Sequence, residues 1–183
     1  QIGHEPLVGT DESGSFVLEP FSDHPHSSGT APEANEALAA FGRVWAANVT
    51  GNKNTLYWSN LLEGSSWTGG SSGSLDLTTV WPNGFDEIIA LAEFNDFLVI
   101  LGRRSILFYT GASSPSTMSI NDSIANLGCV ARDSVQSTGN DLFFLSQTGV
   151  VSLGRLIQEK SNPIGFVSKN VRDEEVTNEN LET

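Results

Sequence analysis

Cysteine and basic side chains are what this sequence has least of. Cys129 is its single cysteine. It cannot close an internal disulfide and has no thiolate neighbours for a structural zinc, which excludes the disulfide-rich secreted class and the zinc ribbons. Nine Lys and Arg stand against twenty-two Asp and Glu. Tight binding to nucleic-acid phosphates needs clustered Lys and Arg that release counterions. The only adjacent pair here is Arg103-Arg104, which reads as a solvated turn. No apolar run approaches the ~20 residues that span a bilayer. The opening Gln1-Ile2-Gly3-His4 has neither the charged nor the apolar region of a signal peptide. An initiator methionine is missing as well, and the expectation is a piece of a longer polypeptide without a membrane anchor.

What is present is enough chain for one sizeable core, at 183 residues. The formal charge of −13 is unevenly placed. Residues 1–42 carry seven acids (Glu5, Asp11, Glu12, Glu19, Asp23, Glu33, Glu36) and no Lys or Arg, and residues 173–183 carry five acids and no base. Residues 43–172 hold ten acids and all nine bases. The body is close to neutral, so the acidity belongs to the two flanks.

Helical spacing is visible only over residues 31–40, where Pro32 is placed to start a short helix and Glu33, Ala34, Glu36, Ala37 and Leu38 favour one. The rest is short apolar runs separated by Gly, Ser, Asn and Asp, the pattern of many short strands and frequent turns. An all-β fold is expected.

An internal repeat refines that expectation. Leu38-Ala39-Ala40-Phe41-Gly42-Arg43 matches Leu91-Ala92-Glu93-Phe94-Asn95-Asp96 at an offset of 53, and Asn95-Asp96 recurs as Asn140-Asp141 at an offset of 45. Each match opens an apolar strand (Val44-Trp45-Ala46-Ala47, Phe97-Leu98-Val99-Ile100-Leu101, Leu142-Phe143-Phe144-Leu145). After a turn comes a second strand: Leu56-Tyr57-Trp58-Ser59, Ile106-Leu107-Phe108-Tyr109 and Val150-Val151-Ser152-Leu153. Further strands are expected upstream, at Glu87-Ile88-Ile89-Ala90-Leu91 and across residues 130–135.

Blade repeats of about 40 to 50 residues have this spacing. Residues 98–101 and 106–109 are apolar throughout rather than alternating, which implies cover on both faces, and a charge at Val99 should be severely destabilising. The fold these features predict is a partial β-propeller of about three antiparallel blades, too few to close a ring alone. Pro6-Leu7-Val8-Gly9 and Ser15-Phe16-Val17-Leu18, flanking Asp11-Glu12-Ser13-Gly14, form the expected outer hairpin of a preceding blade.

The organisation expected is a strand hairpin with an acidic linker over residues 1–30, blades over 31–172 and an acidic tail over 173–183. Residues 64–74, with Trp67-Thr68-Gly69-Gly70-Ser71-Ser72-Gly73, are expected to be a mobile surface loop. Trp81-Pro82-Asn83-Gly84 is a turn signal.

Catalytic constellations fail one by one. Ser71 sits between spaced glycines as in a nucleophile elbow, but that motif needs a strand before it, a helix after it and a later histidine. His4, His24 and His26 all precede Ser71. Asp23-His24-Pro25-His26 has no third nitrogen or sulfur ligand nearby. The paired acids Asp11-Glu12, Asp86-Glu87 and Glu174-Glu175 are adjacent, so on a strand they point to opposite faces and cannot share a substrate. No catalytic, cofactor-binding or metal-ligating residue is assigned, and the chain is expected not to be an enzyme. Trp45 and Trp58 fall inside strand patterns and belong to packing, whereas Trp67 in its Gly-Ser loop is the best candidate for an exposed contact.

Several stretches resemble the tail nozzle proteins of short-tailed bacteriophages, also called tail tubular protein B or packaged-DNA stabilisation proteins. The resemblance covers residues 41–173 through Leu56-Tyr57-Trp58-Ser59, Val80-Trp81-Pro82-Asn83-Gly84, Asp86-Glu87-Ile88-Ile89-Ala90-Leu91 and Asn95-Asp96-Phe97-Leu98-Val99-Ile100-Leu101-Gly102. It continues through Cys129-Val130-Ala131-Arg132-Asp133-Ser134-Val135, Asp141-Leu142-Phe143-Phe144-Leu145-Ser146, Gly149-Val150-Val151-Ser152-Leu153-Gly154-Arg155, Gln158-Glu159-Lys160-Ser161 and Ser168-Lys169-Asn170-Val171-Arg172-Asp173.

The resemblance implies a non-enzymatic propeller subunit of the virion, assembled in the host cytoplasm as a hexameric ring below the head-to-tail adaptor. Its partners would be that adaptor and the tail fibre or tip proteins, and double-stranded DNA would pass through without sequence recognition. Complete members of the family are several times longer. A wall without basic clusters lets DNA slide, and Asp173, Glu174 and Glu175 are expected to face lumen or solvent. The alternative is a propeller-type carbohydrate- or protein-binding module using Trp67.

Overall fold

The computed structural model describes residues 28–161 together with two short strands nearer the N terminus, β1 (Leu7–Val8) and β2 (Glu19–Pro20), which pair antiparallel. The strand expected at residues 15–18, the histidines His4, His24 and His26, and the tail 173–183 lie outside the described residues.

The described body is all-β, apart from one closing helix and two short 3-10 turns. Its first sheet runs β3 (Ala34–Ala40), β4 (Arg43–Val49), β5 (Thr55–Trp58), β6 (Gly73–Asp76), in chain order. A second sheet repeats the plan with β7 (Ile88–Phe94), β8 (Phe97–Gly102), β9 (Ser105–Thr110) and β10 (Ser119–Ala125). The third is shorter: β11 (Gln136–Ser137), β12 (Leu142–Ser146) and β13 (Gly149–Ser152), leading into α1 (Leu153–Ser161).

The partial propeller is not what forms. The three sheets are open antiparallel meanders, and no propeller closure is seen. In each sheet the outer edges of the first and last strands have no strand partner, and cover comes from packing one sheet's face on the next. The strand-turn-strand repeat reports that shared plan, which a stack of open sheets satisfies as well as a closed ring does.

The second sheet is the centre of the stack. Side chains alternate across a strand, and in β8 Leu98 and Ile100 enter one core with Trp45, Leu56 and Trp58 of the first sheet. Val99 and Leu101 enter another with Phe144 of the third sheet and Leu153 of α1. β9 divides likewise, Leu107 and Tyr109 to the first core and Ile106 and Phe108 to the second, as the pairings Ile100↔Leu107 and Leu101↔Ile106 require. This two-sided burial is why residues 98–101 and 106–109 carry no polar alternation. Each large apolar side chain so buried contributes about 1.5 to 3 kcal/mol.

The repeat has a local cause in its turns. β3 joins β4 through Phe41 and Gly42, and β7 joins β8 through Asn95 and Asp96, all four with positive φ. Two such residues in succession make the tight turn whose twist suits a hairpin. The structural match is one residue longer than the sequence match, because Phe41-Gly42 rather than Gly42-Arg43 occupies the place of Asn95-Asp96.

Two local expectations are corrected. The helix expected over 31–40 is strand β3, paired along its length with β4 from Ala34↔Val49 to Ala40↔Arg43. The ladder and the burial of alternate side chains override the modest helix propensity of Ala and Glu. The strand expected across 130–135 is a 3-10 turn at Arg132–Ser134, and pairing begins only at β11. Ser134 Oγ and its backbone N–H both donate to Ala131 O, a local bonding scheme that competes with a ladder.

Candidate functional site

The β8–β9 turn is held by one buried carboxylate. Asp86 Oδ1 accepts the backbone N–H groups of Glu87 at 2.9 Å and Arg103 at 3.0 Å, and Oδ2 accepts that of Arg104 at 2.9 Å. The pair Asp86-Glu87 therefore splits in function. Asp86 turns inward to fix the loop, while Glu87 meets Lys53 at 3.0 Å and Arg103 at 2.5 Å. The Lys53 ammonium, followed by Arg103, holds the Glu87 carboxyl below its usual range.

Above this turn lies a cleft of about 200 Å³ between the second and third sheets. Arg103 and Arg104 form one side, Asn126 and Gly128 the floor, and Gln147 and Thr148 of the β12–β13 turn the other side. The segment at 126–128 is pressed hard against the arginine turn. A Cβ on Gly128 would lie 2.4 Å from both Arg103 C and Gly102 O, so only glycine fits, and Cys129 N–H donates to Gly102 O at 2.8 Å. Among the described residues no acidic side chain lines the cleft. Arg104 Nη2 donates to Phe85 O at 2.6 Å, and among the described residues Arg104 has no carboxylate partner.

Ser71 is held in a structural cluster. Its Oγ donates to Asn60 Oδ1 at 2.8 Å and accepts from Arg43 Nη1 at 3.0 Å. Arg43 Nη1 also donates to Ser59 O and Ser71 O, so the buried guanidinium ties residues 59 and 71 together. The loop expected to be mobile is pinned again where Trp67 N–H donates to Ser28 O at 2.6 Å, and its end is strand β6. Trp67 is half-buried with a hidden Nε1, rather than freely exposed. Trp45 and Trp58 pack in the first core as cross-strand partners 5.7 Å apart between ring centres.

A second polar cluster joins the leading strands of the sheets. Glu36 Oε1 accepts Leu91 N–H at 2.8 Å, and Arg132 Nε lies 3.8 Å from Oε2. Burial pushes the Glu36 carboxyl up to about 7, against the opposing pull of the Leu91 N–H and Arg132. Cys129 is buried nearby, its thiol pushed up by burial while it donates to Ala131 O.

Sequence reasoning passed over both clusters. The cleft draws on residues near 103, 126 and 147, which no spacing rule connects, and Glu36 stood within a misassigned helix. Among the described residues no group of three or more His, Cys, Asp or Glu could hold a metal ion, and no helix is long and apolar enough to cross a membrane. Comparison with protein-family models gives no match, and comparison with curated proteins gives none either.

Proposed function

We propose that the chain is a structural, non-enzymatic subunit of a bacteriophage tail nozzle, forming part of the DNA channel below the head-to-tail adaptor. The observation that carries this reading is the unfinished end of the sheet stack. On the outer face of the third sheet, Leu145 and Val150 are cross-strand partners, and both are exposed, Val150 by 75 %. Such a face invites cover from a neighbour in an assembly.

A groove along the leading strands accords with a channel role. Among the described residues it is lined by Leu38 of β3, Leu91 and Glu93 of β7 and Ser137 of β11, with no Lys or Arg. A wall of that character gives phosphates nothing to grip, so a duplex can slide. In this reading the protein forms a hexameric ring in the virion after assembly in the host cytoplasm. The adaptor and the tail fibre or tip proteins are its neighbours.

Mass photometry of the protein tests it. A ring of six subunits that Val150→Asp dissociates is the expected result. A lone subunit at every concentration contradicts it.

A further inference from the structure

We infer that the cleft between the β8–β9 and β12–β13 turns is a binding site for a small oxyanion group, a carboxylate or a phosphate. Three observations converge. The first is charge. Lys53, Arg103 and Arg104 gather around this turn against Glu87 and the inward-facing Asp86, and Glu87 is shared by Lys53 and Arg103. Arg104 has no carboxylate partner among the described residues, and the cleft lining contains no acid.

The second is donor supply. Arg103, Arg104, Asn126, Gln147 and Thr148 all line the cleft. Asn126 Oδ1 already accepts from Asn83 Nδ2 at 3.2 Å, so its amide NH₂ is the group left to offer. Guanidinium forks with side-chain amides match the lone pairs of an oxyanion; Arg103 is shared with Glu87, whereas Arg104 spends one N–H on Phe85 O and keeps the rest of its fork.

The third is rigidity. Asp86 clamps the Arg103 and Arg104 amides, and the close approach at Gly128 locks the floor to the same turn. The backbone that carries Arg103, Arg104 and Gly128 is therefore fixed before the ligand arrives, which lowers the ordering cost of binding. The cleft has room for one such group, at about 200 Å³.

The site is tested on the intact protein by isothermal titration calorimetry with inorganic phosphate and, separately, with succinate at low ionic strength. Saturable binding of at least one anion, weakened by added salt and reduced about tenfold or more by Arg104→Gln, is expected. Gln147→Ala, on the opposite wall, should weaken it less, and Arg155→Gln, on the exposed face of α1, should leave it unchanged. Preference for phosphate or for succinate then identifies the ligand class. Absence of saturable binding by both anions overturns the assignment. So does binding that survives both Arg104→Gln and Gln147→Ala, or that falls equally with Arg155→Gln.

Discussion

Glu36 of the first sheet accepts the backbone N–H of Leu91, on the leading edge of the second, at 2.8 Å. A carboxylate thus caps an edge donor that no strand pairs, at the cost of its own desolvation. The charged groups beside it are Arg132, at 3.8 Å, and Asp133.

That placement predicts a pH dependence of definite sign. Burial raises Glu36 from 4.5 to about 7, so the folded state holds a proton that the unfolded chain has released between those values. Stability due to this group is greatest below its unfolded value, falls as pH rises, and above about 7 is lower by about 3 kcal/mol. Glu36→Gln keeps an acceptor for Leu91 N–H without the charge. Urea denaturation should show the variant more stable than the parent at about pH 8 and nearly equal to it at about pH 4. Equal midpoints at both would contradict the assignment.

Removing Asp86 takes the acceptor from the Glu87 and Arg104 backbone N–H groups and leaves that of Arg103 only its 3.2 Å bond to Glu87 O. Asp86→Ala should lose about 2 to 4 kcal/mol in thermal or urea denaturation, and Asp86→Asn less, because one oxygen is kept. An Ala variant as stable as the parent would show that the turn holds itself.

Gly128→Ala should be destabilising by about 1 to 3 kcal/mol, because the atoms its Cβ meets are backbone and cannot rotate away. Calorimetric melting measures the loss. A neutral outcome would mean that the 126–128 segment is not locked against the arginine turn.

The parts of the fold legible in the sequence are those where burial erased polarity. Residues 98–101 and 106–109 announced a two-sided sheet because every position there is covered. The Trp81-Pro82-Asn83-Gly84 turn was equally plain, and Gly84 N–H does donate to Trp81 O at 3.0 Å. β3 was hidden because Ala and Glu carry helix propensity, and only the ladder with β4 decides the matter. Helix α1 was missed, and Leu153, expected to end a strand, begins it; Leu156 and Ile157 pack with Leu153 on the second core, a pattern too short in nine residues to stand out. How the sheets associate was not legible, since the repeat specifies each sheet and not the closure of the set. The arginine cleft needed three distant turns to meet.

The central claim is that the second sheet is covered on both faces, and adjacent residues of β8 test it directly. Ile100 and Leu101 are each fully buried, the first against the first sheet and the second against the third sheet and α1. The measurement is the unfolding free energy of Ile100→Ala and of Leu101→Ala in urea. Both should lose about 2 to 5 kcal/mol. A near-neutral effect at either one would mean that one face of the sheet lies bare, and the stacked arrangement would be wrong.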